Sequence, residues 1–406
     1  MTYPLRKIGE IENEGAVSLQ TGPFGTQLKA SDYRREGVPV INVRNIGYGD
    51  LRPEKLEFIP EATVDRLSVH VLAEQDIVFG RKGAVDRHLF VTNGQAGWVQ
   101  GSDCIRLRLD ESKINPRYVS YAFLSERHKV WMLQQCGSKA TMASLNQDII
   151  RRIELRIPKR NQQDEIVSIL SAYDDLIENN RRRIDLLEQA ARMLYREWFI
   201  HLRFPGHEHV KITDGLPEGW ERLKLVDVVD LVKDTILPAD FAEDEIHIGL
   251  EHIPRRSFTL ADWEPAEDLA SGKTRFAEGD ILFCKIRPYF HKVGFALRSG
   301  LASSDAIVWR VKDPSDWPIV VCATSSDHFV AVASKTVKEG SKMPRADLKV
   351  LHGYALLKPP EGLLGIFNDT VLPITQQCKA LALANRALAE ARDLLLPRLM
   401  NGEIAV

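Results

Sequence analysis

The stretch DIVFGRKGAVDRHLFVT (76–92) decides the fold, because a similar stretch, DILFCKIRPYFHKVGFAL (280–297), follows about 200 residues later. In both copies a short apolar run, typical of a buried strand, leads directly into a basic, turn-rich segment. Two further landmarks recur in the same order, Ser-Asp at 102–103 and 304–305 and Gly-Ser-Lys at 137–139 and 340–342. Duplication at this spacing predicts two similar globular domains.

A long helical stretch follows each copy. Apolar or amide residues there alternate at spacings of four and three, which is the heptad pattern of a coiled coil. The predicted seam contains Ile177, Asn180, Ile184 and Leu187 in the first helix and Leu381, Asn385 and Leu388 in the second. An amide in each seam is a known device for fixing helix register. We therefore expect the two helices to pair in antiparallel fashion, with Pro373 kinking the second helix or delaying its start.

These patterns predict an α+β fold, with two similar mixed α/β domains separated by two long antiparallel coiled-coil helices. The expected segments are a first globular domain at 1–158, a first long helix at 159–203, a second globular domain at 204–358 and a second long helix at 359–406. In the first domain, strands are expected at 38–46, 76–80, 88–92 and 104–110. Asn115-Pro116 predicts the start of a helix whose apolar face includes Val119, Phe123, Val130 and Leu133.

The balance of charges is almost neutral. The chain has 406 residues, with 54 Lys and Arg against 56 Asp and Glu, which alone argues against a nonspecific nucleic-acid binder. The balance is uneven along the chain, because residues 1–158 carry a net charge of +3 and residues 204–358 carry −4. Since the second domain still holds basic clusters at 285–292 and 338–345, DNA binding stays compatible with the composition.

Composition also bears on location and on metals. The chain has no apolar run of about 18 residues, so no membrane partner is expected. Its first residues lack the apolar core of a signal peptide, which predicts a cytoplasmic protein. The five cysteines are scattered and form no CxxC pair, so neither a disulfide framework nor a structural zinc site is expected.

Catalytic signatures fail on individual residues. Ser271-Gly272-Lys273-Thr274 ends like a phosphate-binding loop, but Glu267 stands where the first glycine is required. The segment 115–118 reads Asn-Pro-Arg-Tyr where an adenine methyltransferase has Asn-Pro-Pro-Tyr, and a helix N-cap explains it better. We therefore predict no catalytic residue and no metal ligand in this chain.

Basic side chains at matching places in the two copies form the centre of the predicted binding site, and further basic and amide side chains of the first copy are added to it. Arg and Lys recognise guanine edges, Asn and Gln pair with adenine, and all of them reach phosphates. The candidate DNA-binding residues are Gln27, Lys29, Arg44, Asn45, Arg81, Lys82, Arg87 and Lys139 in the first copy, and Lys285, Arg287, Tyr289, Lys292, Lys342 and Arg345 in the second.

Over essentially its whole length the sequence resembles the specificity subunits of type I restriction–modification enzymes. The resemblance lies in the order and doubling of soft motifs rather than in any single one. These motifs are TGPFGTQLKASDY (21–33), GVPVINVRNI (37–46), FGRKGAV (79–85), LRIPKRNQQDEIVSIL (155–170), the helix ILSAYDDLIENNRRRIDLLEQAARMLYREWF (169–199), GLPEGW (215–220) and LAEARDLLLPRLMNGEI (388–404). The second helix departs from the first, because Glu361-Gly362-Leu363-Leu364 replaces the Asn-Gln-Gln-Asp-Glu of 161–165.

The resemblance implies a subunit that performs no chemistry. Its two target-recognition domains would each read one half of a split double-stranded DNA sequence, and the helix pair would set the unread gap. Two methyltransferase (modification) subunits would dock on the helices and bring S-adenosylmethionine. A restriction and translocase subunit would bring ATP and Mg²⁺, so no cofactor is expected in this chain.

Two other readings stay open at the level of sequence. The first is a DNA adenine methyltransferase or nuclease that acts alone, which would need a methyl-donor loop. The second is a coiled-coil scaffold whose globular domains bind proteins, and DNA retention by the fragments 1–158 and 204–358 separates it from a DNA-reading subunit.

Overall fold

The computed structural model describes residues 3–137, 143–242, 244–267, 269–336 and 343–406. The chain folds into two compact units, one made of Met1–Asp175 with Ala389–Val406 and one made of Leu176–Leu388. Each unit has its own hydrophobic core. Both long helices therefore contribute residues to both units, while the four functional segments expected from the sequence stay a prediction.

The first unit is built on one five-stranded and one three-stranded sheet. The five-stranded sheet has the order β2-β9-β6-β7-β4, the three-stranded sheet has the order β5-β3-β8, and β1 pairs with β10. The strands are β1 (Leu5–Lys7), β2 (Val17–Thr21), β3 (Val38–Ile41), β4 (Tyr48–Gly49), β5 (Glu57–Ile59), β6 (Ile77–Gly80), β7 (His88–Phe90), β8 (Val99–Gln100), β9 (Cys104–Leu109) and β10 (Glu154–Arg156). Three of the four expected strands are present within two residues of their expected bounds, whereas the strand expected at 38–46 ends at Ile41 and is followed by a 3₁₀ turn at Val43–Asn45.

The helices of the first unit pack on these sheets. They are α1 (Ile8–Asn13), α2 (Glu61–Arg66), α3 (Pro116–Leu124), α4 (Glu126–Cys136), α5 (Gln147–Arg151) and the first part of α6 (Arg160–Tyr195). The Asn115 side chain accepts hydrogen bonds from the backbone N–H groups of Arg117 and Tyr118, which confirms the predicted N-cap. The single amphipathic helix expected here is wrong beyond Leu124, because the backbone is extended at Ser125 and Val130 and Leu133 on α4 are exposed.

The second unit repeats this architecture. Its strands are β11 (Ile212–Thr213), β12 (Leu216–Pro217), β13 (Glu221–Lys224), β14 (Val229–Leu231), β15 (Thr235–Ile236), β16 (Ile246–Ile248), β17 (Thr259–Leu260), β18 (Glu264–Pro265), β19 (Lys273–Phe276), β20 (Ile281–Cys284), β21 (Val293–Ala296), β22 (Gly300–Ala302), β23 (Ala306–Val311) and β24 (Ala355–Lys358). One sheet has the order β14-β23-β20-β21-β17 and the other β15-β19-β22-β16-β18, while β13 pairs with β24 and β11 with β12. In each unit the five-stranded sheet around β6 or β20 ends in one parallel pair, β4 with β7 and β17 with β21.

The helices of the second unit are α7 (Leu225–Val228), α8 (Trp317–Thr324), α9 (Asp327–Lys335), α10 (Leu348–His352), most of α11 (Glu361–Met400) and the remainder of α6, which ends in a π-helical turn at Arg196–Ile200. The expectation that Pro373 delays the second long helix is wrong. Helix α11 begins at Glu361 and continues through Pro373. Buried Phe367 and Val371 on one side of the proline and Cys378 on the other pack this stretch, which outweighs the hydrogen bond that the proline ring removes.

An ion pair at equivalent positions confirms the duplication. Arg108 on β9 donates two hydrogen bonds, of 2.6 and 2.7 Å, to the carboxylate of Asp76, which precedes β6. Arg310 on β23 donates two hydrogen bonds, of 2.8 and 2.7 Å, to the carboxylate of Asp280, which precedes β20. Both carboxylates are buried, and each also accepts a backbone N–H three residues upstream. A two-point guanidinium contact satisfies most of the acceptor capacity of such a buried carboxylate.

The helix pairing within the second unit follows the predicted seam. Asn180 Nδ2 donates to Asn385 Oδ1 at 2.9 Å, and Asn385 Nδ2 donates to the carbonyl of Ile177 at 3.2 Å. Cys378, two turns earlier on α11, lies against Ile184, one turn further along α6. Since contacts move backwards along one helix as they move forwards along the other, the helices are antiparallel here. Of the predicted seam residues, Ile177 and Asn180 are buried, and Ile184, Leu187, Leu381, Asn385 and Leu388 are partly buried.

Candidate nucleic-acid interface

Three loops of the first unit meet at one end of its five-stranded sheet. Strand β2 ends at Thr21, β6 ends at Gly80, and their shared antiparallel neighbour β9 begins at Cys104. The backbone N–H of Gly22 donates to the Cys104 carbonyl at 2.8 Å, and that of Arg81 donates to the Asp103 carbonyl at 2.7 Å. We call the loops 22–28, 81–87 and 101–103 the first loop edge.

Close backbone approach at this edge requires glycine. A Cβ placed on Gly22 would lie 2.0 Å from the carbonyl oxygen of Gly101, a separation that no side chain tolerates. Strand β2 therefore continues into the loop TGPFG (21–25) with a glycine, Gly22, at the point of closest approach. The loop is held against the sheet rather than splayed from it.

Cationic groups lie on the first loop edge. Lys82 Nζ is 3.1 Å from a carboxylate oxygen of Asp103, and both side chains are about half exposed. The Arg81 carbonyl accepts from the Leu145 N–H at 2.8 Å, so the chain after 142 returns to the same edge. Among the described residues, the buried Nε atoms of Arg81 and Arg87 have no hydrogen-bond partner. The predicted Lys139 lies outside the described residues.

Of the other predicted residues of the first unit, Gln27 and Arg87 also lie in these loops, whereas Lys29 and Arg44 lie outside them. Gln27 is exposed, and its Oε1 accepts the Phe24 N–H, while Lys29 is exposed on the turn that follows. Arg87 lies over the ring of Tyr48, with 5.2 Å from its guanidinium carbon to the ring centre. Arg44 is exposed and lies 3.5 Å from Glu57.

Asn45 does not fit the candidate interface. Its side chain is fully buried, its Oδ1 accepts the Asn42 N–H, and its Nδ2 donates to the carbonyls of Arg52 and Glu54. All hydrogen-bonding groups of this amide therefore bind the backbone of the turn. We remove Asn45 from the interface, because no donor or acceptor of its side chain faces solvent.

The second unit has an equivalent edge. The Lys285 N–H donates to the Asp305 carbonyl, and the Lys285 carbonyl accepts the Ala346 N–H, which are the same two bonds that Arg81 makes with Asp103 and Leu145. Structurally, Lys285 therefore takes the place of Arg81. Asp305 lies 3.4 Å from Lys285 Nζ and 3.2 Å from an Arg345 nitrogen. The predicted Lys342 lies outside the described residues. We call the loop 285–292 with Asp305 and Arg345 the second loop edge.

The loop 285–292 has an unusual backbone. Arg287 and His291 both have positive φ, 48° and 53°, on either side of a 3₁₀ turn at Pro288–Phe290. L-residues other than glycine rarely adopt this conformation, and it tends to occur at functional sites. Buried His291 anchors the turn through a 2.9 Å bond between its Nε2 and the Ser325 carbonyl. Arg287 and Tyr289 are exposed on the anchored turn.

The prediction that Lys292 contacts DNA does not fit the structure. Its ammonium group donates to the carbonyl of Leu250, and burial lowers its pKa. The side chain is directed into the domain and holds the loop, so we remove it from the interface.

Sequence reasoning missed Phe24 and Arg255. Phe24 is 68% exposed on the first loop edge. Arg255 is exposed, and its guanidinium lies 4.2 Å above the Phe290 ring of the second loop edge. The exposed phenylalanine gives no signal in composition, and Arg255 is 35 residues from the ring that it covers.

A cluster of possible metal ligands lies on the other sheet of the second unit. His247 Nδ1 is 3.0 Å from Glu264, its cross-strand partner, and His252 Nε2 is 3.8 Å from the same carboxylate. However, His252 Nδ1 accepts the Gly249 N–H, which places the ring proton on Nε2 and removes the lone pair that a metal ion would need. We assign the cluster as a hydrogen-bonded cross-strand contact, and the bond from His247 lowers the pKa of Glu264.

Membrane insertion is not indicated by the helices. None of the helices in the described ranges combines the length and apolar character needed to span a bilayer.

Comparison with known proteins identifies the class. Residues 22–189 match the family model of the type I restriction modification DNA specificity domain. The type I restriction enzyme MjaIX specificity subunit of Methanocaldococcus jannaschii is 23% identical over 314 residues, covering 71% of this chain and 69% of the relative. The HindI specificity subunit of Haemophilus influenzae is 21% identical over 388 residues, covering 78% and 84%. A type I S subunit structure from M. genitalium has the same fold, with a TM-score of 0.58 at 14% identity over 98% of this chain and 96% of that one.

The matched domain and the names of these relatives thus indicate the class of a DNA-specificity subunit. The chain is similar to the specificity subunits of type I restriction–modification enzymes, and its residues 22–189 match their DNA specificity domain. Its relatives are named as specificity subunits and not as stand-alone methyltransferases, which decides against the first alternative above.

Proposed function

We propose that each unit reads one half of a split double-stranded DNA sequence through its loop edge. The observation that carries this proposal is the equivalence of the two edges. Arg81 and Lys285 make the same pair of backbone bonds beside Asp103 and Asp305, and each edge offers further cationic side chains. Arg and Lys on a rigid edge can contact both guanine edges and phosphates.

The two halves of the target differ in sequence. The first edge carries Arg81 and Lys82 on a loop whose Gly83 has positive φ, whereas the second places Arg287 at the corresponding position. This correspondence follows from the N–H groups of Gly83 and Arg287, which donate to the carbonyls of Ala143 and Pro344 at 3.1 and 2.8 Å. Arg287 therefore adds a guanidinium group where Gly83 has no side chain, so the two edges present different donors to a base pair.

The long helices hold the partner subunits. On the part of α6 in the second unit, Leu176, Leu186 and Met193 are 50%, 64% and 56% exposed. Such residues on a helix that already has a partner suit a further helical contact. We propose that two modification subunits and a restriction subunit assemble here. S-adenosylmethionine, ATP and Mg²⁺ would bind to those partners.

Sequencing the methylated bases of a host genome tests this function. The chain would be co-expressed with the modification subunit of its own system in a host without other adenine methylation. We expect one new split motif, with two short specified parts and a fixed gap. The Lys113→Glu variant, changed at a half-exposed lysine of the first unit outside both loop edges, should give the same motif. An unsplit motif, or none, would contradict the proposal.

A further inference from the structure

Few aromatic side chains of this protein face solvent. The chain has 15 Phe, 9 Tyr and 7 Trp, and all of them lie in the described ranges. Within those ranges only Phe24, Tyr48 and Tyr289 are exposed, at 68%, 40% and 54%. An isolated exposed apolar residue needs no explanation by itself, so the position of these three decides what they mean.

Tyr48 is held by its neighbours. Its hydroxyl donates to Asp86 at 2.7 Å, and the Arg87 and Lys129 cations lie 5.2 and 4.8 Å from its ring centre. Its ring therefore already serves as a packing surface for side chains of its own domain. Phe24 and Tyr289 remain, one in each unit, and each lies on a loop edge.

Both rings are presented by rigid turns. The Phe24 carbonyl accepts the N–H groups of Gln27 and Leu28 at 2.7 and 3.2 Å, and Gln27 Oε1 accepts the Phe24 N–H at 3.1 Å. Leu28 anchors the far end of this turn in a buried cluster. Tyr289 lies between the two left-handed residues Arg287 and His291. An aromatic ring on a fixed turn loses little conformational entropy on binding.

Charge around these rings favours a nucleic acid. The turn of Phe24 leads into exposed Lys29 and shares the first loop edge with Lys82. Tyr289 is two residues from Arg287, and Lys285 and Arg345 lie on the same edge. A ring flanked by cations matches the way in which proteins insert an aromatic wedge between base pairs while cations hold the phosphates.

We propose that Phe24 and Tyr289 are base-stacking wedges, each unstacking one base step in or beside the half-site that its unit reads. This inference rests on the proposed function and adds the mode of recognition to it. Because every base has a stacking face, the wedge itself selects no base. It favours half-sites with a step that opens easily, such as a pyrimidine–purine step.

Duplexes with 2-aminopurine test the proposal, since this base fluoresces more strongly when it is unstacked. The probe is a synthetic duplex carrying the motif found by methylome sequencing, with 2-aminopurine placed in either half but never at a methylated adenine. The assembled methyltransferase would be used with Phe24→Ala, Phe24→Tyr, Tyr289→Ala and Tyr289→Phe. Leu133→Ala serves as the control, changing an exposed apolar residue of α4.

We expect Phe24→Ala to lose the fluorescence increase in one half-site and Tyr289→Ala in the other, with DNA binding about tenfold weaker. The variants that keep the ring should retain both properties, as should Leu133→Ala. The wedge is overturned if both alanine variants bind within twofold of the parent and keep the fluorescence signal while Arg81→Glu still disrupts its half-site. It is also overturned if they prevent assembly with the modification subunits, because the rings would then contact protein. If no split motif is found, the proposed function fails and the wedge assignment fails with it.

Discussion

Asn180 on α6 and Asn385 on α11 share a 2.9 Å hydrogen bond in the helix seam of the second unit. Asn180 is 9% exposed, and the remaining donor capacity of Asn385 goes to the Ile177 carbonyl. A polar pair in an otherwise apolar seam is satisfied only in one register, because sliding either helix by one turn would leave both amides unpaired.

Removing one amide of this pair should destabilise the protein. We expect Asn385→Ala to lower the free energy of unfolding by about 1–3 kcal/mol, since it strands a buried amide on Asn180. The double variant Asn180→Leu/Asn385→Leu should recover that loss, because both polar groups disappear together. Chemical denaturation measures both, with exposed Asn179→Ala as the neutral control. A double variant less stable than the single one would show that the amides contribute more than register.

The carboxylate of Glu188 fixes helix α6 to the loop 257–259 of the second unit. This residue of α6 is 1% exposed, and its carboxylate accepts the N–H groups of Phe258 and Thr259 and the hydroxyls of Ser257 and Thr259. Arg192 lies 3.0 Å away as counter-ion. We expect Glu188→Ala to cost about 3 kcal/mol, because it leaves several buried donors unpaired.

The matched control for Glu188 is Glu178→Ala on the same helix. Glu178 pairs with Arg182, but both side chains are more than half exposed, so the loss should stay below about 0.5 kcal/mol. Denaturant melts of the full chain measure both changes. Equal losses for the two variants would contradict the assignment of Glu188 as the anchor of the loop 257–259.

Charge reversal tests the loop edges. Arg81→Glu should impair methylation through one half of the target, and Lys285→Glu or Arg287→Glu through the other, because each puts a carboxylate beside the phosphates. The measurement is methylation of duplexes in which only one half-site is intact. Lys113→Glu, at a half-exposed lysine of the first unit outside both loop edges, should change neither half. If all variants weaken both halves equally, the two edges do not read separate halves.

The number of phosphate contacts is measurable separately. We expect Lys82→Ala to reduce the slope of log affinity against log salt by about 1, since one cation fewer releases one counter-ion fewer. Binding would be titrated at several salt concentrations with the assembled complex. Lys113→Ala, a cation of similar exposure paired with Asp110, is the control. An unchanged slope for Lys82→Ala would indicate that this side chain stays on Asp103 in the complex.

Two buried histidines predict acid sensitivity. Burial lowers the pKa of His88 to about 3 and that of His128 to about 4, with Lys129 lowering both further and Asp86 opposing the shift at His128. Both are therefore neutral in the fold but bind a proton below about pH 6.5 when unfolded. Stability is fully present above that pH and falls as pH decreases towards 4, by about 2 kcal/mol for each histidine at pH 5.

Unfolding at pH 7.5 and pH 5 measures this dependence. His88→Gln should reduce the loss of stability between the two pH values by about 2 kcal/mol, whatever its effect on stability at pH 7.5. His209→Gln, changed at an exposed histidine, is the control and should leave the difference between the two pH values as it is. A His88→Gln variant with the parent's pH dependence would show that other groups govern the acid sensitivity.

Much of the architecture followed from local pattern. The apolar runs 77–80 and 281–284 became fully buried central strands, and the heptads became helices whose amides meet. A short apolar run bounded by turn residues is typical of a buried strand, and a 3/4 spacing aligns one face of a helix. The single helix expected after Asn115 broke at Ser125, because an extended backbone there ends the first helix and a second one starts.

The sequence by itself determined the duplication, the two long helices and the seam amides that pair between them, since these follow from the order and spacing of residues along the chain. Only the tertiary structure decided which polar side chains face solvent. Asn45 and Lys292 are as polar as Arg81 and Arg287, yet carbonyl groups of the surrounding chain consume their donors. The exposure of Phe24 was likewise found only in the structure, because the burial of a side chain is set by neighbours distant in sequence. The strands converge at one end of each sheet, and that convergence, which no local spacing encodes, creates the edges on which the proposed DNA contacts lie.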